Sequence, residues 1–343
     1  MKVMMLDQIV NLLDNPAPLS ITDIAVPSPA AGEVLIRVTT CGVCHTELDE
    51  IEGRTPPSRL PMILGHQVVG YVVEVGEEVE AVKVDQRVGV AWIFSACGVC
   101  QFCQRGDENL CADFKATGRD VHGGYAEYIA APADYIHPIP DNITAEQAAP
   151  LLCAGAIGYR SLKLAGIEDG QNLGLTGFGA SAHLVLKLVR FKYPLTEVFV
   201  FARNPREREF ALELGAVWAG DTTELSPLKL HSIIDTTPVW KPVVEALANL
   251  SPGGRLVINA IRKEDIDKEY LMQLDYPAHL WMEKEIKSVA NVTRTDVREF
   301  LDLAAVIPIE PTVQEYPLAE ANQALNELRR GEIRGAKVLQ VGQ

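Results

Sequence analysis

Residues 41–45 read Cys-Gly-Val-Cys-His, a C-x-x-C-H string that admits three chemistries: covalent haem attachment, thiol redox exchange or metal binding. The other five cysteines stand at 97, 100, 103, 111 and 153. Cys97-x2-Cys100-x2-Cys103-x7-Cys111 places four thiols within 15 residues. Four thiolates around Zn2+ make a closed tetrahedral site with no open position for substrate, so its role is structural. An iron–sulfur cluster is the rival occupant, because four cysteines hold those as well. The spacing, taken with the fold pattern below, favours zinc. The loop SACGVCQFCQRGDENLC is too polar to form its own core, so buried unpaired thiols explain it poorly. It also lacks the basic face of a nucleic-acid-binding zinc ribbon.

Cys41 in TTCGVC, His66 in LGHQVVG and Cys153 in LLCAGAIGY each sit among glycines. Taken singly, such residues are more often packed thiols or core histidines. Taken together, two Cys and one His are the ligand set of a catalytic zinc that keeps a fourth position open. Two thiolates and a neutral imidazole cancel the +2 charge, and the open position takes water or an alcohol whose pKa the metal lowers.

Gly177-Phe178-Gly179-Ala180-Ser181-Ala182 matches G-x-G-x-x-A between a strand-like NLGLT and a helical ASAHLVLKLVRF. The glycines permit a tight turn and close backbone approach, and the helix N-terminus then faces a pyrophosphate. NAD enzymes usually carry an acid at the end of the next strand, for the ribose 2′-hydroxyl. In VFVFARNPRER that position is Ala202, followed by Arg203, with Arg206 and Arg208 nearby. An uncharged residue beside arginines favours NADP over NAD.

Two scaffolds must position these groups. The first third carries short β-like runs broken by Gly and Pro, such as EVLIRVTTCG, HQVVGYVVEVGEEV and DQRVGVAW, which predict a β-barrel-like domain. From about residue 155 strands and helices alternate through EVFVFA, PREREFALELGA, SIIDTT, VVEALANL and GRLVINA, which predicts an α/β, doubly wound parallel sheet. The chain has 343 residues, 48% hydrophobic and 22% charged, with a net charge of −15. The acidic balance disfavours nucleic acid. MKVMMLDQIVNLLDN makes a poor signal peptide and no run reaches membrane-span length, so a cytoplasmic protein with no membrane partner is expected. Clustered cysteines in a reducing cytosol favour metal over disulfide, and haem attachment would need export.

In this order, C-G-V-C-H-T, G-H-x-x-x-G, the four-cysteine loop and L-C-A-G resemble zinc-dependent alcohol dehydrogenases of the medium-chain dehydrogenase/reductase superfamily. The segment LLCAGAIGYRSL is most similar to the branch labelled propanol-preferring. The resemblance covers nearly the whole chain. It implies a GroES-like catalytic domain over 1–153, completed by 294–343, and a Rossmann dinucleotide-binding domain over 154–293. It implies two Zn2+ per chain and NADP or NAD. Cys41, His66 and Cys153 would hold the catalytic zinc, and Cys97, Cys100, Cys103 and Cys111 the structural one. Cys44 would then be a packed thiol. Thr46 resembles the hydroxyl that takes the proton from a zinc-bound alcohol, and Glu47 the acid that orients His66. His45 lies where the family places a basic residue near the cofactor pyrophosphate, and Trp92 where it lines the substrate pocket. The implied reaction interconverts alcohols with aldehydes or ketones by hydride transfer from a zinc-bound alkoxide, and the implied assembly is a homo-oligomer, dimer or tetramer. A thiol redox protein using Cys41 and Cys44, or a structural metal-binding protein without dehydrogenase activity, are the competing functions.

The chain departs from the family pattern at four places. Gln67 replaces the Glu that follows the ligand His, leaving the site about one charge less negative. Asp49 stands where many relatives carry the His that ends the proton relay, and Ile157 where a Thr is common near the nicotinamide. Arg334-Gly335-Ala336-Lys337 lacks the usual arginine straight after the Gly.

Overall fold

The structure, a computed structural model, describes residues 1–307, 309–331 and 335–342, so Arg334 lies outside the described residues. The chain divides into one unit of Met1–Cys153 with Val292–Gln343 and a second of Ala154–Asn291.

The first unit is built around the long strand Glu33–Val43. Its sequence, EVLIRVTTCGV, is rich in β-branched residues, which suit a pleated surface packed on its neighbours. It pairs antiparallel with Val68–Val75, Tyr128–Pro132 and Ala336–Gln340. The sheet runs on through Arg87–Val90 to Ile136–Pro138 on one side and to Val313–Pro317 on the other. A strand from the last ten residues thus completes a sheet begun in the first fifty, with Leu339 and Val68 both opposite Cys41. Val34, Ile36, Val38, Val68, Val72, Val88, Val90 and Leu339 are fully buried in one core.

The second unit holds six parallel strands in the order Trp218–Gly220, Val198–Phe201, Leu173–Thr176, Leu230–Asp235, Leu250–Ile258 and Glu285–Ser288. LGLT and VFVF are buried at every position, as expected of strands covered on both faces. The first of these strands in sequence, Leu173–Thr176, lies inside the sheet with later strands on both sides. That reversal opens a crevice at the carboxyl ends of the strands. The helix Ala180–Lys192 starts there, and Arg190 and Lys192 in its last turn oppose the C-terminal end of its dipole. Among the described residues no helix is long and apolar enough to cross a membrane.

Candidate active site and metal centres

Two donor clusters form, and one corrects the sequence reading. Cys44, His66 and Cys153 bring their ligand atoms within 4.8 Å of one another, and Cys41 is not part of that group among the described residues. The strand end decides between the two cysteines. Cys41 lies inside Glu33–Val43, fully buried in the core. A Cβ placed on Gly65 or Gly124 would come within 2.9 or 3.0 Å of its sulfur. Cys44 lies one residue past the strand, at the N-cap of the helix His45–Ile51, where the chain turns and frees its side chain.

Glu47, fully buried, joins two members of this cluster. Its Oε1 accepts from His66 Nδ1 at 2.6 Å and its Oε2 from the Cys44 backbone N–H at 2.8 Å. A proton held on Nδ1 leaves Nε2 as the donor nitrogen, and Nε2 lies 3.2 Å from Cys153 Sγ. Burial lowers the His66 pKa, but the charge of Glu47 and hydrogen bonds with Cys44 and Glu47 override it and hold the value well above the ordinary one. The hydrogen bond from Cys153, together with His66, draws the Cys44 thiol well below its usual range, whereas burial and then Glu47 push Cys41 well above. Two sulfurs and one imidazole nitrogen suit Zn2+ with one position open.

Cys153 sits in a π-helical turn, Leu151–Gly155, directly after Pro150. Such turns inside helices recur at functional sites. The Thr46 hydroxyl lies 3.6 Å from Cys44 Sγ, so it faces the metal cluster. His45 is exposed beside it. Gln67 is buried over Gly42, whose Cβ, if present, would come 2.3 Å from Gln67 Oε1, so Gly42 is required for that side chain to fit. Asp49 accepts from Arg54 Nε at 2.6 Å and is therefore an ion-paired carboxylate. The Trp92 ring packs against Phe114 at 4.7 Å, with the Arg119 guanidinium 5.4 Å from its centroid. Its Nε1 is buried without a hydrogen-bond partner.

Cys97, Cys100, Cys103 and Cys111 form the second cluster. Cys103 Sγ lies 3.6 Å from that of Cys100 and 3.9 Å from that of Cys97. Backbone N–H groups of Val99 and Cys100 bring the half-buried Cys97 thiol down to about 7. Seven cysteines are free of disulfides, which leaves all four of these thiols available to a metal.

In the second unit Gly177 has φ of +75° and its N–H donates to Phe201 O at 2.8 Å. Only glycine adopts that backbone freely. Gly179 caps the helix Ala180–Lys192 without any side-chain hydrogen bond, and a Cβ there would meet nothing within 4 Å. An uncapped helix start facing open space fits a pyrophosphate. Ser181 turns the other way: its hydroxyl donates to Ala154 O and accepts from Asn259 Nδ2. Ala182 is fully buried. Ala202 is buried at the strand end, and Arg203 and Arg206 are exposed. Arg208 donates to Ala202 O at 2.8 Å and pairs with Asp221 at 3.5 Å.

Residues 30–141 match the family model for the alcohol dehydrogenase GroES-like domain. The chain is 44% identical over 327 residues to a probable alcohol dehydrogenase AdhA of Mycobacterium tuberculosis (strain CDC 1551 / Oshkosh), covering 94% of this chain and 92% of that one. An NAD-dependent alcohol dehydrogenase structure shares the fold at 22% identity with a TM-score of 0.87, covering 100% of both chains. The structure of CAD from Helicobacter pylori complexed with NADP(H) does so at 22% identity and a TM-score of 0.83, covering 99% of each.

Proposed function

The chain belongs to the zinc-containing medium-chain alcohol dehydrogenase family, and we propose that Cys44, His66 and Cys153 form its catalytic metal site, with Thr46 as the proton-handling group. The enzyme is an NAD(P)-dependent oxidoreductase that interconverts alcohols with aldehydes or ketones. The observation that carries the site reading is Glu47 bridging His66 and Cys44 behind a three-donor set. Bound zinc supplies Lewis-acid charge at the substrate oxygen, and bound nicotinamide supplies the hydride acceptor or donor. Thr46 Oγ1, beside Cys44, hydrogen-bonds the substrate hydroxyl and passes its proton outward. The proton leaves directly to water, because Asp49 is occupied by Arg54. Glu47 fixes the His66 tautomer. Trp92 lines the substrate wall, where its buried N–H has an acceptor to gain. The Cys41/Cys44 dithiol reading has little support, since Cys41 is fully buried and Cys44 turns towards His66 and Cys153. Thiolate-rich zinc sites suit a reducing, cytoplasmic setting. The test is a panel of alcohols and aldehydes, short primary alcohols first, with metal content measured on the same sample. Two zinc ions per chain without turnover of any alcohol or carbonyl would refute it.

NADP is the preferred cofactor in this reading. Ala202 adds no charge to repel a 2′-phosphate, Arg203 is exposed to meet one, and the Asp221 carboxylate is paired with Arg208. A charge-assisted contact of about 1.5–3 kcal/mol corresponds to roughly 10–100-fold in efficiency. Arg203→Ala therefore lowers kcat/KM for NADPH about tenfold and leaves that for NADH nearly unchanged. Equal or better use of NADH by the wild type would sink the preference.

The assembly is a homo-oligomer formed on the outer strand Glu285–Ser288. All four residues of that strand are exposed. Ile266, Met272, Tyr276, Trp281, Met282 and Ile286, all within 21 residues, are more than 45% exposed. An open strand edge with apolar surface aggregates unless something covers it. A second copy does so by two-fold pairing of the same strand. Ile286→Lys should convert the oligomer to a smaller species by size exclusion with light scattering; a monomeric wild type would overturn the assignment.

A further inference from the structure

Lys263 follows the strand Leu250–Ile258, and its side chain is 7% exposed. Its ammonium donates to the Asp235 carboxylate, to Thr237 O at 2.7 Å and to Val239 O at 3.1 Å, so its three protons are all used. Asp235, fully buried at the end of Leu230–Asp235, also accepts from Thr176 Oγ1 at 2.6 Å and Thr237 Oγ1 at 2.7 Å. Thr236 donates its N–H (2.9 Å) and its hydroxyl (3.0 Å) to Thr176 O. Thr176 immediately precedes Gly177. A Cβ on Gly177 would come within 2.9 Å of Thr236 Oγ1 and 3.0 Å of Thr237 Cγ2. The glycine turn therefore rests on residues 236–237, and Lys263 ties down the loop that carries them. A buried ion pair is a weak source of net stability, because desolvation offsets its attraction. What the ammonium does beyond an apolar side chain is gather one carboxylate and two carbonyls of a single loop.

We propose that Lys263 is a positioning residue for cofactor binding: by tying Asp235, Thr237 and Val239 together it holds the shelf that sets the Gly177–Gly179 turn for the dinucleotide pyrophosphate. This rests on the reading of that turn as the cofactor site. The experiment uses the full-length zinc-loaded chain and measures Kd for NADPH and NADH calorimetrically, with thermal unfolding and kcat at saturating cofactor alongside. Losing hydrogen bonds from a charged donor should weaken dinucleotide binding about tenfold in Lys263→Met, with kcat nearly unchanged. Lys263→Arg should recover most of the affinity. Asp235→Asn/Lys263→Met strands no charge, so it should unfold near the wild-type temperature and still bind weakly. Wild-type affinity in Lys263→Met would overturn the proposal. Wild-type affinity restored in the double variant would also overturn it, since Lys263 would then merely neutralise Asp235. A wild-type chain that binds neither dinucleotide removes the cofactor reading, and this proposal with it.

Discussion

Cys44→Ala abolishes alcohol oxidation, whereas Cys41→Ala leaves it within about twofold of the wild type. The two thiols are three residues apart, and the sequence reading takes Cys41 for the ligand and Cys44 for packing, so the pair of variants separates a ligand from a packed side chain. Cys44 shares its cluster with His66 and Cys153, and its backbone N–H is held by the same Glu47 that holds His66. Removing its sulfur leaves two donors, too few for a stable catalytic zinc. Lewis-acid stabilisation is worth several kcal/mol, so kcat/KM falls roughly a thousandfold or more. Zinc content should drop from two to one per chain while thermal unfolding stays close to the wild type. Cys41 offers the opposite profile. It is fully buried, so its truncation costs about 1 kcal/mol of stability through lost packing. Its zinc content and pH–rate profile should not move. If Cys41→Ala lost the metal and Cys44→Ala kept it, the assignment would be reversed.

Much of the fold follows from periodicity. The buried runs LGLT and VFVF, the helix ASAHLVLKLVRF between them and the glycine turn joining strand to helix are local patterns, and the structure has them in that order. The four-cysteine loop is equally local, since its short gaps put the sulfurs together whatever surrounds them. The misassignment of Cys41 lies where a local choice depends on a long-range fact. Whether Cys41 or Cys44 joins the donor cluster depends on where the strand ends: pairing with Val68 and Leu339 holds Cys41 inside the sheet, and the last pair, Val43 with Lys337, ends it before Cys44. The pairing of Arg208 with Asp221, thirteen residues on, is likewise a contact that the local string does not show. Ser181 stands in the glycine turn, and only the fold shows that its hydroxyl is held by Ala154 and Asn259. Lys263 carries no local signal at all, because its partners lie 24 to 28 residues away at the end of a neighbouring strand.

Cys103→Ser should lose one zinc per chain, as Cys44→Ala does, but with a different consequence. Within residues 97–111 only Glu108 and Cys111 are buried, so the loop has almost no apolar core to hold it. Its shape depends on four sulfurs, of which that of Cys103 lies within 3.9 Å of two others. Structural zinc sites contribute folding energy outright, about 10–16 kcal/mol in small peptides; a loop tied at both ends to a folded unit has less to lose. Several kcal/mol is the expected scale for the metal-free loop, enough to open it to protease. The damage does not stop at the loop. Glu108 Oε1 accepts from Arg294 N–H at 2.9 Å and from its Nε at 3.2 Å, at the first turn of the helix Arg294–Val306. An anion there satisfies free N–H groups and opposes the helix dipole. Opening the loop withdraws it, so the start of that helix should lose amide-exchange protection together with residues 97–111. Thermal unfolding should begin earlier, and the remaining catalytic zinc should keep turnover measurable at low temperature. A Cys103→Ser chain that retained two zinc ions and resisted protease at 97–111 would show that the loop is held by its own packing, and that the four thiols are not its anchor.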